Sequence, residues 1–301
     1  MLREIVVESD ISWYYLCKVG QHRDKEIYHL NRERKDMILT AEICFKYETH
    51  CHTSPVSKCA KASVEETVHF YKSIGYDGIF VTNHFLDGNI NLASVNLPYR
   101  DQIDYYFADY EEAAALGEKI GLKVFPGVEL SYKGTDFLIY GLDKEWYKAN
   151  PDILRMTKTE ELQYMMEMGA FIIQAHPYRE AHYIDHIRLF PRSVHAVEII
   201  NSNQAAEANV MAALYARQYG LMITCGSDNH WAGDVFHHLQ KKGLDPTIAG
   251  MCSETPIQNV QDYINMVKEG QMRPFLQDAE GNVFEIGTDL QCDAEADVGI
   301  H

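Results

Sequence analysis

Between Ile38 and Lys268 the chain alternates short apolar runs with amphipathic stretches. "ILTAEICFKY" reads as a first strand leading to His50. "SVEETVHFYKSIG" then places Val64, Val68, Tyr71 and Ile74 at helical spacing, with Ser63 and Glu66 as a capping box and Gly75 as the stop. Next come the strand "GIFVTNH", a helix within Asp101 to Ile120, the strand "KVFPGVELSY" and, close behind it, "FLIYGL". A helix within Lys158 to Met168, "AFIIQAHP", "VHAVEIIN", a helix within Gln204 to Tyr219 and "LMITCGSDNH" follow, with a last helix within Ile257 to Lys268. This alternation predicts parallel strands joined by crossovers, as an α/β barrel or an open doubly wound sheet. No Gly-x-Gly-x-x-Gly or P-loop follows any strand, which speaks against nucleotide binding of those kinds. Residues 1–41 and 273–301 lie outside the alternation. "EIVVESDISWYYLCKV" and "GNVFEIG" read as short strands, so the ends are expected to be N- and C-terminal extensions of one domain spanning 42–272.

Composition narrows the class. The 301 residues are 46% hydrophobic, ordinary for a globular protein. A formal charge of -17 and a pI near 5.2 argue against a broad basic surface tracking a nucleic-acid backbone, so no long nucleic acid is expected as a partner. Seven cysteines without a C-x-x-C pair are no disulfide framework and suit a reducing cytoplasm. "MLREIVVESD" lacks the apolar core of a signal peptide, and no apolar run is long enough to span a bilayer.

The polar residues collect at strand ends. "ICFKYETHCH" ends in His50 and His52, which share a face in an extended chain. "GIFVTNH" ends in His84, "VFPGVEL" presents Glu129, "FIIQAHP" ends in His176, and "LMITCGSDNH" ends in Asp228 and His230. In parallel α/β folds, sites assemble at the C-terminal edge of the strands. Imidazole and carboxylate suit Zn(II), Mn(II) or Fe(II). One open divalent site needs three or four protein ligands, so seven imply two or three clustered ions, with Glu129 as the natural bridge. Clustered ions activate a water and clamp the oxygens of a phosphoryl group or another hydrolysable centre.

"ETHCHT", "GYDGIFVTNH", "PGVELS", "AHPYR", "VEIIN" and "GSDNH", in that order, resemble the PHP (polymerase and histidinol phosphatase) family over about Glu42 to Lys268. The resemblance implies a distorted (β/α)7 TIM-like barrel with two or three metals at the C-terminal ends of its strands, and a phosphoesterase activity. Carried over by position, it implies that His50, His52, Glu129 and Asp228 bind one metal, Glu129 and His176 a second, and His84 and His230 a third. The sequence departs from the family pattern twice. Where an Asp or His is common after the His-x-His pair, "SPVSKCA" offers Ser57, Lys58 and Cys59. Where a histidine often follows the Glu motif, "GTDFLIYGL" offers Asp136 as a substitute oxygen ligand.

The resulting expectation is a metal-dependent phosphoesterase acting on a small phosphate ester or short nucleotide through a metal-activated hydroxide. His230 or His84, if free of metal, would protonate the leaving oxygen. Arg179 is either a bidentate phosphate ligand or a surface salt bridge. Lys58 reads as a solvated loop lysine or a fixed charge in place of a metal, and Cys59 as a free loop thiol or a soft ligand. Asp77 and Asn201 read as organisers of turns and supporting hydrogen bonds. The alternatives are a non-catalytic metal-stabilised PHP module, and a metallohydrolase attacking a carbon–nitrogen or carboxylic ester bond.

Overall fold

The computed structural model describes residues 44–91 and 97–286. The expected N-terminal extension and the front of the first strand lie outside the described residues. The chain runs β1 (Phe45–Cys51), α1 (Val64–Ser73), β2 (Gly78–Val81), α2 (Tyr99–Ile120), β3 (Lys123–Pro126), β4 (Val128–Tyr132), β5 (Thr135–Tyr140), α3 (Lys144–Ala149) and α4 (Lys158–Glu167). It continues β6 (Phe171–Ala175), β7 (Ala196–Asn201), α5 (Ala206–Tyr219), β8 (Met222–Gly226), α6 (Val235–Lys241), β9 (Thr247–Ser253), α7 (Val260–Lys268), β10 (Arg273–Asp278) and β11 (Val283–Glu285).

The helices begin and end where local chemistry directs. Ser63 and Glu66 form the reciprocal capping box of α1, Ser63 N donating to Glu66 Oε2 at 2.8 Å. Thr157 and Glu160 cap α4 in the same way. Gly121 stops α2 with φ +74°, a conformation that would strain a side chain.

The strands form two sheets, ordered β11-β10-β9-β1-β2-β3 and β4-β5-β6-β7-β8. β1, β2 and β3 run parallel, as do β6, β7 and β8, which agrees with the predicted crossovers. Elsewhere the pairing is antiparallel, unlike the prediction. β4 and β5 are joined by only Lys133 and Gly134, at φ 51° and 84°. Two residues of positive φ make a tight hairpin turn, and no crossover helix fits in that length. "KVFPGVELSY" is likewise two strands rather than one. It breaks at Gly127, where a Cβ would lie 2.7 Å from Thr82 Cγ2 and 2.9 Å from a Tyr140 ring carbon. Residues 273–286 carry β10 and β11, which extend the first sheet beyond β9.

Among the described residues the two sheets do not join into a closed barrel. Isolated bridges link them where candidate ligands lie, Cys51 with Asn229 and His84 with Glu129. Backbone bonds support these seams: His52 N to Asn229 O and Asp228 N to His50 O at 2.9 and 2.8 Å, and Glu129 N to Asn83 O at 3.1 Å. Four strand ends are thereby held side by side. Beneath them a buried aromatic group, Phe80 with Phe125, Tyr140 and Tyr263 at ring separations of 4.7 to 5.3 Å, gives the strands a rigid support. No helix among the described residues is long and apolar enough to cross a membrane.

Candidate metal centre

The strand ends bring all seven sequence-predicted donors into one buried cluster. His50 Nε2 lies 3.2 Å from Glu129 Oε1 and 3.5 Å from Asp228 Oδ1. His52 Nε2 lies 3.3 Å from Glu129 Oε2 and 3.2 Å from Asp228 Oδ1. His84 Nδ1 reaches Glu129 Oε2 at 2.7 Å, and His176 Nε2 reaches Glu129 Oε1 at 3.4 Å. His230 stacks on His52 with ring centroids 4.2 Å apart. Three sets of donor atoms fall within 4.8 Å of one another: His50, His52 and Asp228; His50, Glu129 and His176; and His52, His84 and His230.

The outer nitrogens decide what the inner ones can do. His50 Nδ1 lies 2.9 Å from Glu198 Oε1, so the ring proton sits there and Nε2 keeps its lone pair. His230 Nδ1 meets the Asp228 carbonyl oxygen at 2.7 Å and is fixed in the same way. For His52 the proton follows from a short chain. Ser57 Oγ donates its one hydrogen to Asn83 Oδ1 at 2.9 Å, so it accepts from His52 Nδ1 at 3.1 Å. Asn83 is oriented by donating to Thr53 Oγ1 and Asp109 Oδ2, and Thr53 Oγ1 donates to Asp109 as well. Three imidazoles thus turn an unprotonated Nε2 inward, and His50 and His52 bring theirs to within 3.3 Å. Two facing lone pairs need a cation between or beside them.

Glu129 supplies a second indication. Both of its oxygens, His84 Nδ1 and His176 Nδ1 are buried without a directed hydrogen bond, although Glu129 and His84 approach to 2.7 Å. Close but misaligned donors aim at a common point rather than at each other, as ligands of one ion do. The donor set therefore fits divalent metal. Protonation is the other way to balance these carboxylates. Burial lowers His50 and His84, yet Glu198, Asp228 and Glu129 push the first well above its ordinary range, and Glu129 does so for the second. Glu129 itself is raised by burial but drawn well below the usual range by His84, His50 and His52. His52 goes the other way, down to about 3, through burial and its neighbours His230 and His84.

Backbone strain marks two of these residues. His176 and Asp228 have φ of 26° and 54°, left-handed conformations that cost a side-chain-bearing residue about 1–3 kcal/mol. Both stand at turns where the chain leaves a strand, and the strain goes into aiming a side chain at the cluster.

Asp136, the expected substitute ligand, is buried with Oδ2 3.9 Å from His176 Nε2. The same oxygen takes a bond from Arg179 Nη1 at 3.1 Å, so Arg179 stands at the rim of the cluster, with Tyr183 bonded to its other nitrogen. Burial and the neighbouring Glu129 raise the Asp136 carboxyl. Lys58 is exposed. Asp77 ties Lys46 N at the start of β1, at the opposite end of the strand from the histidines. Asn201 supports the site through Glu198, donating to Oε2 at 2.9 Å. Cys59 Sγ lies 3.1 Å from His230 Nε2. Burial raises that thiol, but hydrogen bonds to His230 and His84 outweigh it and bring it down to about 6.

Several supporting residues escaped the sequence reading. Glu198 holds His50, the His176 N–H at 3.0 Å and Asn201 at once. Its signal was a lone carboxylate inside the apolar strand "VEII", which must find partners if both faces are buried. Glu48 accepts from His50 N, Ser227 N and Tyr71 OH at 2.8, 3.0 and 2.7 Å, binding β1 to the end of β8, and burial pushes it up to about 7 against those bonds. Lys242 lies beside the site, 3.5 Å from Asn203, whose side chain holds the Asp228 carbonyl. A cleft of about 540 Å³ between α2, β3 and Gln258–Val260 holds none of the candidate ligands.

No protein-family model matches the chain, and no curated protein does. Solved structures do. A two-domain protein from Bacteroides vulgatus, containing a predicted PHP-like metal-dependent phosphoesterase, is similar at 16% identity with a TM-score of 0.55, over 77% of this chain and 64% of that one. The chain thus spans less than two thirds of that protein. PsfC from Pseudomonas syringae shares 17% identity over 74% of this chain and 88% of its own, with a TM-score of 0.47. A Bifidobacterium adolescentis protein provisionally described as a metal-dependent phosphoesterase shares 14% over 62% and 88%, with a TM-score of 0.43. At such identities the likeness is one of fold, and through the first of these structures it agrees with the resemblance carried by the sequence motifs.

Proposed function

We propose that the protein is a metal-dependent phosphoesterase on a distorted barrel of the PHP type, hydrolysing a small phosphate ester or short nucleotide. The observation that carries this reading is the pair of inward Nε2 atoms of His50 and His52, their outer nitrogens held by Glu198 and Ser57, beside the oxygens of Glu129, which have no directed hydrogen bond. His50, His52, Glu129 and Asp228 would hold one divalent ion, Glu129 and His176 with Asp136 a second, and His84 and His230 a third. Mn(II), Zn(II) and Fe(II) suit these donors. When bound, such ions supply a water acidic enough to react near neutral pH and positive charge for the oxygens of the substrate.

The chain's own residues support an anionic substrate. Arg179, bonded to Asp136, and Lys242, beside Asn203, both lie close enough to Asp228 for its charge to act on them. In a chain of net charge -17, two cations at the mouth of a buried cluster select for a small anion over an extended one. A proton donor to the leaving oxygen has to be an imidazole with no ion on it. With the third position empty, His84 and His230, each 8% exposed, would take that role, since they reach further toward solvent than His50, His52 or His176. Five free thiols among the described residues are in keeping with a reducing, cytoplasmic setting.

The test is to reconstitute the purified protein with Mn, Zn or Fe, count metal by elemental analysis, and assay phosphate mono- and diesters, dinucleotides, amides and carboxylic esters side by side. At least two equivalents of metal are expected, with chelator-sensitive turnover of phosphate esters. Turnover confined to amides or carboxylic esters would move the reaction to a carbonyl centre. Metal binding without hydrolysis of any substrate would make the protein a metal-stabilised module.

A further inference from the structure

The donors suffice for two ions, but the third position is short by one. A histidine nitrogen has one lone pair and serves one ion. His50 Nε2 and His52 Nε2 are both committed to the position beside Asp228 and Glu129, where they lie 3.2 to 3.5 Å from those carboxylates. His52 therefore cannot also complete the group it makes with His84 and His230. Those two alone are fewer than the three protein ligands that an open site uses.

Cys59 stands at that gap. Its sulfur lies 3.1 Å from His230 Nε2, the nitrogen left free because Nδ1 is taken by the Asp228 carbonyl oxygen. His84 offers a donor atom within 4.8 Å of that of His230, and its charge acts on this thiol. The Cys59 loop is anchored on both sides. Lys61 N and Ala62 N donate to His230 O at 2.7 and 3.1 Å, and Ser57 Oγ accepts from His84 N at 3.1 Å. The thiol is thus carried on a loop fastened to both histidines it faces. A tetrahedral ion with a metal–sulfur bond of about 2.3 Å and a metal–nitrogen bond of about 2.0 Å sets sulfur and nitrogen about 3.5 Å apart. The loop would open by only a few tenths of an ångström.

We propose that Cys59 is the third protein ligand of the ion held by His84 and His230, making that position a two-histidine, one-thiolate site for a thiophilic divalent ion such as Zn(II). This rests on reading the cluster as a multinuclear metal centre. It differs from the other two positions in chemistry, because they offer only imidazole and carboxylate. Thiolate favours zinc over manganese, so a protein loaded from a mixture should carry unlike ions. It also commits His84 and His230 to metal, leaving neither as a proton donor.

The test is spectroscopic and independent of turnover. Zinc-loaded full-length protein is examined by X-ray absorption, and the cobalt-loaded form by its sulfur-to-cobalt charge-transfer absorption. One sulfur at about 2.3 Å per third-site ion is expected in the wild type. Cys59→Ser should lose the sulfur signal and one equivalent of metal, and Cys59→Asp should recover the equivalent without the sulfur. A control, Cys44→Ser with Cys252→Ser, removes two cysteines that lie together with Glu285 outside the histidine cluster and should leave the signal unchanged. A wild-type shell of only nitrogen and oxygen with two or more ions bound overturns this assignment alone, whether or not the variants fold. A sulfur signal that follows Cys44 and Cys252 overturns it too. Absence of bound metal overturns both the assignment and the metal centre on which it rests.

Discussion

Glu198 is buried, touches no expected substrate position, and still should control metal affinity through a proton. One oxygen accepts from His50 Nδ1 at 2.9 Å, and the other accepts from His176 N at 3.0 Å and Asn201 Nδ2 at 2.9 Å. Glu198→Gln keeps the shape but replaces one acceptor with an NH2 donor. If the amide NH2 faces His176 and Asn201, a buried backbone N–H loses its acceptor. If it faces His50, two donors meet, and the conflict is relieved only by moving the ring proton from Nδ1 to Nε2. That shift removes the lone pair aimed at the ion. Either outcome costs about 1–3 kcal/mol, the price of an unsatisfied buried polar group.

At about 1.4 kcal/mol per decade, that predicts metal affinity about tenfold to a hundredfold weaker in Glu198→Gln. The assay is competition against a chromophoric chelator at neutral pH, with thermal melts of the chelated proteins as a folding control. Histidine nitrogen NMR of the zinc form reads the tautomer directly. Metal affinity within about threefold of wild type, with the His50 proton still on Nδ1, would refute the reasoning that this carboxylate sets the ligand.

Arg179→Ala should keep its metal complement yet lose about one to two decades of kcat/KM on phosphate esters, a charge-assisted bond being worth about 1.5–3 kcal/mol, and Arg179→Lys should regain only part; wild-type kinetics in Arg179→Ala would leave Arg179 as no more than a partner of Asp136. Gly226→Ala puts a Cβ 2.5 Å from His50 Cβ and 2.8 Å from Glu198 Oε1, so a loss of about 1–3 kcal/mol in denaturant melts is expected together with weaker metal binding, and a neutral result would contradict the packing described. Glu161 concerns pH: burial pushes its carboxyl up to about 7 from 4.5, because Lys158 is shared with Asp87 and cannot fully offset it. A folded-state pKa above the unfolded one gives stability that is present below pH 4.5 and lost as pH rises through 7, roughly 3 kcal/mol in all. Glu161→Gln should therefore gain on the wild type in thermal melts across that window, and parallel curves would refute the assignment.

Six of the seven donors were legible because each closes an apolar run, and Glu129 because it is a carboxylate set among apolar residues in "VFPGVEL", placements that are properties of the sequence itself. The hairpin between β4 and β5 was open to the same kind of reading, since two turn residues leave no length for a crossover. The break at Gly127 was not, because it answers to Thr82 and Tyr140, residues distant in sequence. Glu198 and Ser57 fall between these cases. Their residue types hint at buried hydrogen bonding, but which nitrogen of which histidine they hold depends on three dimensions. Cys59 shows how the two levels combine. In the sequence it stands near the place where an Asp or His is common, with nothing to separate a ligand from a loop thiol. Contact with His230, beside which His84 stands, supplies the difference, and counting lone pairs turns that contact into a requirement: two histidines cannot close the site, and His52 is committed elsewhere. A departure from the family pattern that looked like a missing ligand is, by this count, a change of ligand. What it changes is the choice of ion rather than the presence of one.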